Sequence, residues 1–354
     1  MFSPHARYSV TACAVAAFLF SGNASAATSP AARAPEYQVV DQWKIGGLGS
    51  WDFLTFDGAR HRLFVTRGDH VDVVDTSNGN RLARLEGTKG VHGVALAPDL
   101  RRGFASDGKG NAITEFDLDS LAVVREVAIP AVNPDAILYS PRNKWLYVFN
   151  GKSQDALILD ATTLAVVAKI PMPGKPEVAQ DDGHGHVFVN IESEPGQIVR
   201  INAATLSIDA TWTLPGCNSP TGLALDTKHS RLFSTCDDKV MAVTDAQSGR
   251  QVARIVIGNE PDSAGFDSER GIVFSSNGDG TLTIAKQDSA DSYHVLQQLP
   301  TRRGARTMAV DPASGRVFVA SPDLDPAPAP TPDQPHPRPV PRPDTFTVVV
   351  VGSK

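Results

Sequence analysis

Several kinds of chemistry are missing from this chain. Cysteine occurs only three times in 354 residues, at Cys13, Cys217 and Cys236, so there is no C-x-x-C redox couple and no C-x-x-C-H haem attachment. No serine sits in a G-x-S-x-G elbow, and no glycine-rich loop is built to cradle phosphate. Beyond the first 26 residues there is no apolar run of membrane-spanning length, and no helix of useful length carries a continuous 3.6-residue apolar pattern. Basic runs are short, apart from scattered arginines near Arg302–Arg306. The chain has 33 basic and 39 acidic residues, and 33 less Arg7 of the leader leaves 32 against 39, a balance of −7. That balance argues against a general phosphate-binding surface and against nucleic acid as a partner.

What is present is a repeat. Each unit starts with an apolar run, crosses an Asp-led turn and continues as an Arg-Leu-Phe-Val-like run. It then passes through a Val-x-Asp strand and a Ser-x-Gly-like turn to a final Val-Ala-x-Ile strand. The clearest copy runs from Gly222 to Gly258. The residues leading into the first strand, here called lip residues, are Asp52, His92, Asp135, Glu177, Thr221, Asp262 and Arg306, spaced 40, 43, 42, 44, 41 and 44 apart. A period of roughly 40–45 residues with four short strands is the signature of a β-propeller blade. The seventh unit has strands at 307–311, 316–320 and 345–351 and then stops one short. Tyr37–Ile45 reads as an unpaired strand able to complete it, which would close the ring and remove exposed sheet edges. The expectation is an all-β, single seven-bladed propeller over residues 36–354, closed by an N-terminal strand that completes the last blade. Gly 29 and Pro 26 suit a chain of many tight turns.

Residues 1–26 read as a cleaved signal peptide: Arg7, the apolar core Val10–Phe20, and Ala24-Ser25-Ala26 as an A-x-A site cut after Ala26. Residues 27–35 are an Ala/Pro-rich lead, and the mature chain is expected to be exported, to a bacterial periplasm. Cys13 leaves with the leader. The repeat places Cys217 before the first strand of the fifth blade and Cys236 after its second, at one edge of the sheet. That geometry in an oxidising compartment favours a disulfide over a thiolate metal pair or a redox couple.

The one insertion is the proline-rich stretch Ser321–Pro343, expected to be extended and outside any ladder. It reads as a surface loop, a flap over the channel mouth or a docking arm.

The seven lip residues converge on one mouth of the channel: four carboxylates, one imidazole, one hydroxyl and one guanidinium. Rim loops add Asp69, His70, Asp107, Asn150, Asn190, Glu192, Asn277 and Asp279. The ligand-binding candidates are the seven lip residues with Asn150 and Asn190. Packed carboxylates repel, shift their pKa values or recruit a cation. The metal candidates are Asp52, Asp135, Glu177, Asp262 and His92, whose oxygen-rich set suits Ca²⁺, Mg²⁺ or Mn²⁺ and whose His–carboxylate subset suits Zn²⁺. Arg306 also reads as a neutraliser of two carboxylates. Gly183-His184-Gly185-His186 falls in a turn at the opposite edge. Ser276-Asn277-Gly278-Asp279-Gly280 reads as a hairpin turn, lacking the acidic terminus and helices of a calcium loop.

The chain resembles the YncE-like, YVTN-type bacterial seven-bladed propellers, an exported subgroup distantly related to WD and NHL repeats. The motifs that carry the resemblance are Gly49-x-Trp51-Asp52, Gly90-Val91-His92-Gly93-Val94, Asn133-Pro134-Asp135-Ala136, Phe149-Asn150-Gly151, Lys175-Pro176-Glu177, Asp182-Gly183-x-Gly185, Pro220-Thr221-Gly222-Leu223-Ala224, Arg231-Leu232-Phe233-x-x-Cys236 and Gly304-Ala305-Arg306-Thr307. The resemblance covers 37–354. It implies an exported propeller with little defined chemistry, some relatives binding DNA, protein or the cell surface. The acidity of this chain keeps DNA from carrying over.

The expected function is a non-catalytic, monomeric binding or scaffold propeller whose acidic mouth takes a small molecule, a cation or a peptide. The alternative is a metal-dependent, lactonase-like hydrolase with Glu177, Asp52 or Asp135 as ligands and His92 as base. A quinone-cofactor dehydrogenase lacks its tryptophan-docking repeats.

Overall fold

Alternating apolar runs and Asp-led turns become antiparallel strands joined by side-chain-capped hairpins. The Asp245 turn is typical. Its carboxylate accepts from the backbone N–H of Ser248 at 2.8 Å and from the Ser248 hydroxyl at 2.8 Å, which holds the chain reversal between two strands. Asp75 does the same for Ser77, at 2.8 and 2.6 Å. Each of these two turns ends at a glycine with positive φ, Gly79 and Gly249. A Cβ at either would lie 2.2 Å from a tryptophan, Trp43 or Trp212, so the indole needs the bare backbone.

The computed structural model describes residues 1, 8–9, 35–331, 335 and 337–353. The expected signal peptide and lead lie outside these, apart from single positions. Pro35–Lys354 forms one unit. Among the described residues the only helical element is a 3₁₀ turn, Pro98–Leu100. The sheets are antiparallel and mostly four-stranded, and the fold is of the β-propeller type. In one of them Leu223–Asp226, Arg231–Cys236, Val240–Asp245 and Gln251–Val256 follow in sequence order. A single long strand, Arg81–Ala97, leaves one group of four and enters the next, which merges both into a seven-stranded sheet.

The first strands pack on one another in succession. Leu54–Asp57 lies against Arg81–Ala97, followed by Pro134–Ser140, Lys175–Asp181, Leu223–Asp226, Pro261–Asp267 and Met308–Asp311, and the last of these packs against Leu54–Asp57. Tyr37–Lys44 pairs with Thr347–Ser353 from Tyr37 opposite Ser353 to Lys44 opposite Thr347, beside Arg316–Ser321. The expected strands were 37–45 and 345–351, so the strand ends differ by one or two residues.

Apolar side chains fill the space between neighbouring sheets. Phe64 and Phe116, both fully buried, meet with ring centroids 5.6 Å apart, and burying each stabilises by roughly 1.5–3 kcal/mol. Removing either ring leaves a cavity between the two halves of the seven-stranded sheet, which costs about 3–5 kcal/mol. Cys217 and Cys236 form a disulfide, with Cα atoms 5.2 Å apart.

The proline-rich stretch departs from expectation. It has a short ladder of its own, Leu324–Asp325 against Val340–Pro341, closed by an Arg342–Asp325 ion pair of 2.6 Å. Its base is tied down by Arg302 on Asp323 at 2.6 Å. Two residue pairs suffice because Pro341 needs no donor there and the ion pairs supply the cross-links.

Candidate functional site

Hydrogen bonds from neighbouring strands hold the lip residues by their backbones. Ser106 Oγ donates to the Asp135 carbonyl at 2.5 Å, Thr307 Oγ1 to that of Asp52 at 2.8 Å, and Asn190 Nδ2 to that of Thr221 at 3.2 Å. Ser276 Oγ donates to the Arg306 carbonyl, and the Phe53 N–H to that of His92 at 3.1 Å. All seven lip residues line one cavity of about 850 Å³. The size is within the usual range for small-molecule sites.

Their charges are arranged in three groups. His92 Nδ1 lies 2.7 Å from Asp52 Oδ2 and 3.7 Å from Asp135 Oδ1, so one imidazole sits between two carboxylates. Lys175 Nζ bridges Glu177 and Glu192, at 2.5 Å to each. Arg306 pairs with Asp262 at 2.5 Å and lies 5.6 Å from the Trp51 ring centroid. Each group contains an acid that resists ionisation or a base that resists losing its proton. Burial pushes Asp135 up to about 6, with the Asp52 charge adding to it and His92 opposing. Burial, then the Asp135 charge, raises Glu177 well above its usual range, against the pull of Lys175. Asp262 is raised by burial in spite of Arg306. Burial disfavours the His92 imidazolium, but the Asp52 hydrogen bond and the charges of Asp135 and Asp52 outweigh it, and the His92 pKa rises.

Ligand atoms of Asp52, His92 and Asp135 all lie within 4.8 Å of one another, close enough to share a cation. The other two metal candidates, Glu177 and Asp262, are engaged by Lys175 and Arg306.

Two ligand-binding candidates are corrected. Asn150 and Asn190 are fully buried and lie off the cavity. Asn150 donates back into its own hairpin, to Val148 O at 3.0 Å and Asp155 Oδ1 at 2.8 Å. Asn190 donates to the carbonyls of Thr221 at 3.2 Å and Gly222 at 2.9 Å and accepts from Ser234, so it positions a lip residue. The side chains of a strand alternate between faces, and these amides point between sheets. Of the eight rim residues, only Glu192 lines the cavity among the described residues. Asp107 and Asn277 are buried, and His70 pairs with Asp69 at 2.6 Å. Asp279 caps its hairpin by accepting from Thr281.

Several lining residues escaped the sequence reading: Trp51, Lys175, Asp237, Glu260, Arg303 and Arg338. Lys175 carried a signal, because it stands two residues before Glu177 on one strand and therefore shares its face. Arg338 comes from the proline-rich arm, with Pro337, Pro339, Pro341 and Leu324 beside it on the wall. The paired histidines His184 and His186 lie on a separate cavity of about 270 Å³ with Asp182, whose carboxylate caps the turn by accepting from three backbone N–H groups.

No protein family and no curated protein sequence matches this chain. Solved structures do. A chain of the Kuenenia stuttgartiensis hydrazine synthase superposes with a TM-score of 0.68 at 13% identity, over 77% of this chain and 92% of that one. A chain of a mitotic checkpoint complex superposes with a TM-score of 0.72 at 13% identity, over 96% of this chain and 98% of that one. Both are propeller-type, and at this identity the likeness is one of fold alone. Among the described residues no helix is long and apolar enough to cross a membrane.

Proposed function

We propose that this chain is an exported, non-catalytic binding propeller of the YncE-like, YVTN type, acting as a monomer in the periplasm. It has seven blades, with Tyr37–Lys44 as the strand that closes the last. The successive packing of first strands and the pairing of Tyr37–Lys44 with Thr347–Ser353 support that architecture. The leader-like residues 1–26 and the Cys217–Cys236 disulfide support export. One observation carries the binding reading: all seven lip residues line a single cavity of about 850 Å³, with more carboxylates than cationic partners. Its ligand is small and charged, and nucleic acid is disfavoured by the same acidity.

The second reading is a metal-dependent, lactonase-like hydrolase with a divalent cation on Asp52, His92 and Asp135. The 4.8 Å clustering of their ligand atoms favours it. The role of His92 weighs against it. As one of the three ligands it cannot also be the general base that the hydrolase reading assigns to it.

Elemental analysis of the purified mature protein, before and after a chelator, separates the readings when combined with thermal unfolding and a lactone hydrolysis assay. The binding reading expects no turnover, and a melting temperature unchanged by chelation. A stoichiometric metal whose removal lowers the melting temperature, with lactone turnover lost in His92→Ala, overturns it in favour of the hydrolase.

A further inference from the structure

The charges left over once the cavity's internal pairs are made are unevenly placed. Seven carboxylates line the cavity against Lys175, Arg303, Arg306, Arg338 and His92. Lys175 serves two acids and so does His92, while Arg306 serves Asp262. Asp237 and Glu260 then have no cation, and neither guanidinium of Arg303 and Arg338 has an ion pair or hydrogen bond among the described residues.

The two bare arginines share one arc of the mouth. Arg303 precedes Met308–Asp311, and Arg338 belongs to the arm that springs from the same sheet. The arm is drawn to that arc by Arg302 on Asp323 and by Leu324 against Gly304, where a Cβ would come within 2.9 Å of Leu324 Cδ1. Met308–Asp311 packs beside Pro261–Asp267 and Leu54–Asp57. The strands Pro134–Ser140, Lys175–Asp181 and Leu223–Asp226, whose sheets supply Asp135, Glu177 and Asp237, fall on the far side of that succession. The mouth therefore has an acidic side at Asp135, Glu177 and Asp237 and, across from it, two free guanidiniums with one bare acid, Glu260, next to the neighbouring strand Pro261–Asp267, and acids are in excess. Trp51, Phe53 and the prolines of the arm give the wall between them an apolar character.

We propose that the mouth takes a small zwitterion of net positive charge, of the basic amino-acid or short basic-peptide class. Its ammonium groups face Asp135, Glu177 and Asp237, and its carboxylate is received by Arg303 and Arg338. A guanidinium–carboxylate contact is charge-assisted and directional, and inside a partly closed cavity it is worth more than at an open surface. The inference rests on the binding reading and specifies its ligand.

Calorimetric titration of the full mature protein with lysyl-lysine, its C-terminal amide and its fully N-acetylated form tests it. The expected order is free dipeptide first, the amide weaker by at least about tenfold, and the acetylated form weakest. In Arg303→Gln/Arg338→Gln the dipeptide and its amide should bind alike, with the melting temperature of the protein unchanged. Equal binding of acid and amide to the wild type overturns the proposal, as does no binding of the free dipeptide. Native mass spectrometry of protein taken from periplasmic extract keeps the two readings apart. A neutral or anionic ligand displaced by Asp135→Asn leaves the binding propeller standing and removes the zwitterion. An empty cavity together with a silent titration removes both.

Discussion

Two clusters of buried carboxylates do opposite jobs in this protein. Asp72 is fully buried and surrounded by basic side chains: Arg67 at 3.4 Å, His70 at 3.4 Å, Arg81 at 3.4 Å and Arg84 at 3.2 Å. Burial alone would raise its pKa, yet the His70 hydrogen bond and the charges of His70, Arg84 and Arg67 hold it below the usual carboxylate range. Arg67, itself 1% exposed, stacks at 3.7 Å on Phe346 and donates to the carbonyls of Gly46 and Leu48, so the cluster fastens the segment after Tyr37–Lys44 to the body. At the mouth, Asp135 and Glu177 are almost as buried but share too few cations, and both resist ionisation. Compensated charge holds the fold, and uncompensated charge is left where a ligand can supply the balance.

The contrast is broken most severely by removing the compensated acid. Asp72→Asn leaves Arg67 buried without its counter-charge and should cost about 3–5 kcal/mol in urea unfolding, with part recovered in Asp72→Asn/Arg67→Met. The sign with pH follows from the depressed pKa. The contribution of Asp72 is present above the ordinary 3.8 and is lost as pH falls through the lowered folded value, so the gap between wild type and Asp72→Asn should narrow only in strong acid.

Next in size is the disulfide. With a sequence separation of 19, replacing Cys217 and Cys236 by serine should cost roughly 3 kcal/mol, read as a lower urea midpoint. Two titratable thiols in the denatured, unreduced protein would remove the premise.

Asp107 sharpens the comparison from between the two clusters. It is fully buried, with Thr114 on Oδ2 at 2.6 Å and no partner on Oδ1, and burial pushes its pKa up to about 6. An acid raised in this way stabilises as the neutral form, and that contribution is lost as pH rises through about 6. Asp107→Asn should therefore be more stable than wild type by roughly 1–3 kcal/mol at pH 8 and indistinguishable from it at pH 4, in melting curves taken at both.

The smallest effect on stability is expected at the mouth. Glu177→Gln and His92→Ala should stay within about 1 kcal/mol of wild type, the first because it removes an under-compensated charge, the second because His92 and Asp52 are both partly open to water. Unfolding of either variant at 25 °C would make the mouth a structural cluster like that of Asp72, and the comparison would collapse.

How much was legible in the sequence differs between these regions. The seven lip residues were readable because a propeller repeats its backbone, so one aligned position in each unit returns to the same place. Asn150 and Asn190 were misread because an aligned loop-side position does not tell which face of a strand a side chain takes. The Asp72 cluster was missed altogether: Arg67, His70, Asp72, Arg81 and Arg84 are close in sequence, but their convergence depends on a bulged pairing of Gly68–Asp75 with Arg81–Ala97. The arm's approach to the mouth was left open between loop, flap and docking arm, and the ion pairs that draw it in come from Arg302 and Arg342.

By itself, the sequence determined the all-β repeat, the Asp-led turns, the convergence of the lip residues and the pairing of Cys217 with Cys236. All of these follow from local periodicity and from strand neighbours a turn apart. Only the tertiary structure decided which charges are compensated: Lys175 between two glutamates, His92 between two aspartates, Arg306 on Asp262, and two arginines without a partner among the described residues. Coulombic pairing falls off within a few ångströms and strengthens with burial, and neither separation nor burial is written in the order of the residues.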